Sequence, residues 1–135
     1  MLSEPDSKEA QSTVASYLKK GFALYTVDLA LIEGLNVIWK HAALLKDIRL
    51  EEINSAVEDL TIVYDGLNIV PARELTTESV QIALKHNLSI YDALYIAASE
   101  KINGTLYTAD QKLCNIAKKV TKGVRTPSTE ADSEP

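Results

Sequence analysis

The chain has 135 residues, the size of one domain with one core, and its 46% hydrophobic and 24% charged composition is that of a soluble globule. A net charge of −5 argues against a broad electrostatic nucleic-acid binder, which would carry a basic stripe. No disulfide framework, cysteine metal cluster, bilayer-length apolar run or signal-like start is present in the sequence, so a cytoplasmic protein without membrane attachment is expected.

Asp6 or Ser7 can cap a first helix running to Lys20, with Ala10, Val14 and Leu18 at near-helical spacing and Gly21 at its end. Residues 22–27 are apolar and rich in β-formers, which predicts a buried strand closed by Asp28. Asp28 is a suitable N-cap for a helix over 29–44, where Leu31, Ile32, Leu35, Ile38, Trp39 and Ala42 make a broad apolar stripe. A further helix covers 50–64, with Ile53, Val57, Leu60 and Tyr64 on one face, and Asp65-Gly66 turns the chain into a short strand, 67–70, stopped by Pro71.

Thr76 opens a helix to Lys85, and a loop at His86-Asn87-Leu88 follows. Ser89 opens another helix, 90–101, that is apolar on most sides and is therefore expected to be buried. Asn103-Gly104 turns the chain into a strand over 105–108, and Asp110 caps a last helix with Leu113, Ile116, Ala117 and Val120 on one face. Cys114 falls on the apolar side of that helix and reads as a buried structural thiol. Strands alternating with helices predict an α/β domain with a small, mainly parallel sheet of three strands, and a fourth near Val120 to Val124. The domain is expected to span 1–123, followed by a polar, disordered tail over 124–135.

Parallel α/β sheets place their ligands beyond the carboxyl ends of the strands. Chain order steers Glu33, just after the first strand, and Asp110, just after the strand 105–108, to that edge. Asp92 follows from lengths. A helix over 90–101 rises about 18 Å, and the return from Gly104 to Asp110 covers about 20 Å, so Asp92 ends beside Asp110. Three converging carboxylates suit a hard cation such as Mg²⁺ or Mn²⁺, and the chemistry of such a centre is metal-assisted hydrolysis of a phosphodiester.

Each acid also has a purely structural reading. Ser89-Ile90-Tyr91-Asp92 fits a capping box, Asp110 fits a plain N-cap, and Glu33 fits a solvated residue near a helix start. His41 and His86 suggest no ligand pair, and Tyr91, Tyr95 and Tyr107 suit core or subunit contacts better than base stacking.

The segment Tyr91-Asp92-Ala93-Leu94-Tyr95-Ile96-Ala97-Ala98, followed by Leu106-Tyr107-Thr108-Ala109-Asp110-Gln111-Lys112-Leu113, resembles the C-terminal half of PIN domains, especially VapC-type toxins. In those proteins a D-A-x-x-(I/V)-A-A helix precedes a strand ending in T-x-D. Glu33 sits where they carry a glutamate after their second strand, and the likeness runs to about Val120. The resemblance implies a three-layer α/β/α sandwich, commonly a homodimer. It further implies a Mg²⁺- or Mn²⁺-dependent endoribonuclease, the toxin of a toxin–antitoxin pair held inactive by a cognate antitoxin. Carried over residue by residue, Asp92, Asp110 and Glu33 match the family's catalytic metal-site acids, and Thr108 matches a supporting hydroxyl residue.

One departure stands out. Family members open on a central apolar strand ending in an aspartate ligand, ahead of the point matching Met1, and nothing over Met1 to Ser7 replaces it. Two readings follow: a metal-dependent ribonuclease, or a catalytically silent PIN remnant that acts as a protein-binding or dimerisation module. A response-regulator-like domain is a third, disfavoured because no acidic pair follows an early strand.

Overall fold

A computed structural model describes residues 12, 15–108, 110–120 and 124–125. The chain divides into two compact units, one ending at Ile69 and the other beginning at Val70.

The first unit opens on a helical segment over 15–19. The helix start expected at Asp6 or Ser7 lies outside the described residues, as do Ala10 and Val14. Gly21, at φ +83°, takes the left-handed turn that ends the segment. The carbonyls of Ser16, Tyr17 and Leu18 accept from the amides of Lys20, Phe22 and Gly21. Phe22 then packs edge-on against Tyr17, with ring centroids 5.3 Å apart.

The strand expected over 22–27 is shorter: β1 is Tyr25–Val27, with Thr26 and Val27 buried. Asp28 does not cap the next helix, α1 (Leu29–Lys40), with its side chain. Its backbone is already helical (φ −55°, ψ −26°), whereas a side-chain cap needs an extended residue. The α-helix expected to reach Leu44 ends at Lys40 and widens into a π-helical turn, His41–Leu45. Lys46 closes it in the left-handed region (φ +52°), and His41 Nδ1 lies 2.8 Å from both carboxylate oxygens of Asp47.

Helix α2 (Leu50–Asp65) begins at a reciprocal contact, since the Glu52 carboxylate accepts from the amide and the Nε of Arg49, each at 3.1 Å. The amide bond holds the Glu52 carboxyl below its ordinary value. α1 and α2 approach closely at Gly34, where an added Cβ would stand 2.7 Å from Leu60 Cδ1. Neither helix has a fully buried residue. Half of the apolar stripe of α1 stays outside: Ile32 is 60% exposed, Trp39 55%, and Leu35 is exposed with them. Strand β2 (Asn68–Val70) pairs with β1, and Leu24 O accepts from both the amide (2.8 Å) and the Nδ2 (3.0 Å) of Asn68.

The second unit is built around one helix. A 3-10 turn (Ala72–Leu75) leads into α3 (Thr76–His86), which ends at Asn87 in the left-handed conformation (φ +54°). α4 (Ile90–Lys101) has the predicted bounds, and its residues from Ala93 to Ser99 are all buried. A helix buried on every side carries no polar stripe. Its one hydroxyl in that run, Ser99, donates back to the carbonyl of Ile96 at 2.8 Å and so needs no water. α3 lays Ile82 and Ser79 against it, Leu75 seals one end, and Leu113, Cys114 and Ala117 of α5 (Gln111–Ala117) complete the core.

After α4 the chain turns through Asn103 (φ +53°) and enters β3 (Leu106–Tyr107). β3 pairs in parallel with β4 (Val124–Arg125), Leu106 opposite Val124 and Tyr107 opposite Arg125. The fourth strand anticipated near Val124 is therefore formed. It lies beyond the boundary expected at 123, because parallel pairing satisfies its backbone groups, so the ordered chain extends past that point. The rest of the tail lies outside the described residues. The strands pair as β1–β2 and β3–β4, two sheets of two strands, where the sequence suggested one sheet. No helix of the described residues is long and apolar enough to cross a membrane.

Candidate metal centre

Asp92 and Asp110 both belong to the second unit, and each is positioned by the start of its own helix. Ser89, extended at φ −67° and ψ 157°, caps α4, and its hydroxyl accepts from the Asp92 amide at 3.2 Å. That bond fixes Asp92 in the first turn, half-buried, ahead of the buried run that begins at Ala93.

Asp110 caps α5 in the predicted manner. Its Oδ1 accepts from the amides of Lys112 (2.9 Å) and Leu113 (3.2 Å). The Asp110 amide in turn donates to Oγ1 of Thr108, 3.1 Å away, and Thr108 is buried. The turn from β3 into α5 is thus held at both ends, by a buried hydroxyl behind and by two helix amides ahead. One carboxylate oxygen of Asp110 is committed to the backbone, which fixes the direction of the other.

The electrostatics join the two acids. Burial pushes the Asp92 carboxyl above the ordinary aspartate range, and the negative charge of Asp110 pushes it further. The Ser89 hydroxyl and the Lys112 ammonium act in the opposite sense. A carboxylate destabilised by a second one nearby is a place of excess negative potential, which a divalent cation relieves. Mg²⁺ is commonly held by one or two carboxylates while keeping several waters, so this donor set suits it.

Glu33 lies in α1, half-buried, in the first unit. Among the described residues no three His, Cys, Asp or Glu side chains are gathered closely enough to hold a metal ion between them. The structure therefore brings together Asp92 and Asp110, with Thr108 behind Asp110, and does not complete a three-carboxylate cluster. Lys112 is the residue the sequence reading passed over. Its position two residues after a capping aspartate was the available signal, because a cap places the second helical residue beside the capping side chain.

A profile of the PIN domain matches residues 2–119. The sequence is 35% identical over 112 residues to Ribonuclease VapC3 of Pyrobaculum aerophilum, covering 82% of this chain and 80% of that protein. The structure resembles the crystal structure of PAE2754, also from Pyrobaculum aerophilum, with a TM-score of 0.64 and 25% identity. That match covers 89% of this chain and 79% of the other. The chain belongs to the PIN-domain family, in its VapC-type branch. Its fold is the PIN-like α/β/α class with a small parallel sheet, as the sequence led us to expect.

Proposed function

We propose that this chain is a Mg²⁺- or Mn²⁺-dependent endoribonuclease, the toxin component of a toxin–antitoxin pair, acting in the cytoplasm. The observation that carries the reading is the electrostatic coupling of Asp92 to Asp110 at the starts of two successive helices. Asp92 and Asp110 hold the ion, Glu33 is the third acid of the set, and Thr108 keeps Asp110 in place. When bound, the divalent ion supplies Lewis acidity toward the scissile phosphate and lowers the pKa of water. The protein's own part is orientation. The Ser89 bond and the Thr108 bond set the two carboxylates, and the remaining Asp110 oxygen is left directed outward from the cap. The relative's name, a ribonuclease of the VapC type, supports RNA as the substrate and a cognate antitoxin as a partner.

Cleavage of a single-stranded RNA by the purified chain, with and without Mn²⁺, tests this reading. Metal-dependent cutting that disappears in Asp92→Asn is the expected result. Undiminished cutting by Asp92→Asn sinks the assignment of Asp92.

A second reading, a silent PIN remnant serving as a protein-binding or dimerisation module, draws on a different observation. Ile32, Leu35 and Trp39 form an exposed apolar line on α1, which suits a homodimer or an antitoxin contact. It predicts no cleavage at any metal concentration, together with a dimer that Trp39→Ala weakens in sedimentation experiments.

A further inference from the structure

The site as described lacks a group that would receive the substrate's own charge. The chain carries a net charge of −5, and the two acids add a local negative field, so an approaching polyanion meets repulsion. One basic side chain stands inside that field. Lys112 occupies the second position of α5, and its amide is bound by the Asp110 carboxylate at 2.9 Å. The ammonium at the end of the same side chain is close enough to act on the Asp92 carboxyl, the one described cation to do so. Lys112 is exposed, so its four-carbon stem is free to swing.

We propose that Lys112 is a substrate-contacting residue of this site: it lies against Asp92 until a divalent ion binds, and then contacts an RNA phosphate. The inference rests on the proposed nuclease reading and adds to it a second cationic partner for the phosphate. The reason is charge balance. A divalent ion held by Asp92 and Asp110 supplies the positive charge those carboxylates lack and repels the ammonium. The ammonium then needs a new anion within reach of its stem, and a phosphodiester drawn to the ion provides one. Lysine serves such a contact as a compact point charge with rotatable donors, so it requires no bidentate geometry.

Two measurements on the intact chain separate this from a structural role for Lys112. The first is binding of Mn²⁺ alone, followed by calorimetry. Lys112→Gln removes a competing cation and is expected to tighten Mn²⁺ roughly two- to fivefold, the scale of an exposed charge pair. The second is binding of a fluorescein-labelled oligouridylate in Ca²⁺, which occupies oxygen sites without rapid turnover, over a series of salt concentrations. In Lys112→Gln the slope of log K against log salt is expected to fall by about 0.7, the value for one phosphate contact on a single strand. Lys112→Arg should restore the slope, which a merely structural lysine would have no reason to change. If the unaltered chain binds Mn²⁺ and oligouridylate and Lys112→Gln matches its salt slope, the lysine inference is overturned while the nuclease reading stands. If the unaltered chain binds neither, both fall together.

Discussion

The backbone amide of Asp110 donates to the hydroxyl of Thr108 across 3.1 Å, and the threonine is buried while the aspartate is exposed. The pair ties a carboxylate that faces solvent to a fixed point at the end of β3. Thr108→Val keeps the volume and removes the acceptor, leaving the Asp110 amide without its partner. A loss of about 1–2 kcal/mol in stability is expected by urea denaturation, with Thr108→Ser recovering most of it. If valine is tolerated without loss, the hydroxyl does not position the cap.

Asp110 has two duties that substitution can separate. Asn caps helices about as well as Asp, so Asp110→Asn should retain stability within a few tenths of a kcal/mol, whereas Asp110→Ala should lose about 1 kcal/mol. Both variants should bind Mn²⁺ more weakly than the parent. Equal stability of the two variants would show that the bonds to Lys112 and Leu113 contribute little to α5.

The raised carboxyl of Asp92 makes stability depend on pH in a defined sense. The folded chain holds that proton more tightly than the unfolded chain, so stability is full below the ordinary value of 3.8 and is lost as pH rises through the raised folded value. Asp92→Asn carries no charge at any pH. It should therefore melt on the order of one or two degrees higher than the parent at neutral pH, a figure kept small because the carboxyl is only half-buried, and equally near pH 3. Saturating Mn²⁺ should reverse the order at neutral pH, since only the parent gains stability from binding the ion. A neutral-pH melting temperature that falls on substitution would contradict the electrostatic account.

Gly34 lets α1 and α2 approach within the reach of Leu60. In Gly34→Ala the new methyl would stand 2.7 Å from Leu60 Cδ1, so the leucine must move. Overpacking of this kind costs about 1–3 kcal/mol, against a gain of up to about 1 kcal/mol in helix propensity. A net loss is expected, and Leu60→Ala in the same chain should remove the clash, giving a favourable coupling in a double-mutant cycle. Strictly additive losses would mean that the helices separate to admit the methyl.

At the centre of the second unit, Ile96 is fully buried within α4. Ile96→Val should lose about 1 kcal/mol and Ile96→Ala about 2–5 kcal/mol, measured by chemical denaturation. A smaller loss for alanine would indicate that α3 and α5 collapse into the space.

Where the sequence was legible, the physics was local. The bounds of α4 followed from Ser89, from an unbroken apolar run and from Asn103-Gly104, and Asp110 capped its helix because an extended aspartate before a helix has few alternatives. Asp28 looked equivalent and is not, since β1 runs into α1 with no extended residue between them. The π-helical turn at His41 to Leu45 left no trace in the apolar spacing, because widening one turn displaces few side chains. The exposure of Ile32 and Trp39 was equally hidden, as periodicity reports that a face is apolar and not what covers it. Asp92 and Asp110 could be brought together by adding lengths along consecutive elements. Glu33 had no comparable path, being separated from both by several turns of chain.

The chain's one tryptophan and one cysteine fall in different units. Trp39 sits on the outer side of α1, while Cys114 is wholly enclosed beneath α5. Nature has thereby installed two independent gauges. Indole emission follows events in the part ending at Ile69, and the rate at which a thiol reagent gains entry times the opening of the part that starts at Val70. Denaturation monitored through both probes would reveal whether these halves come apart as one cooperative body or in succession, without a single label being added.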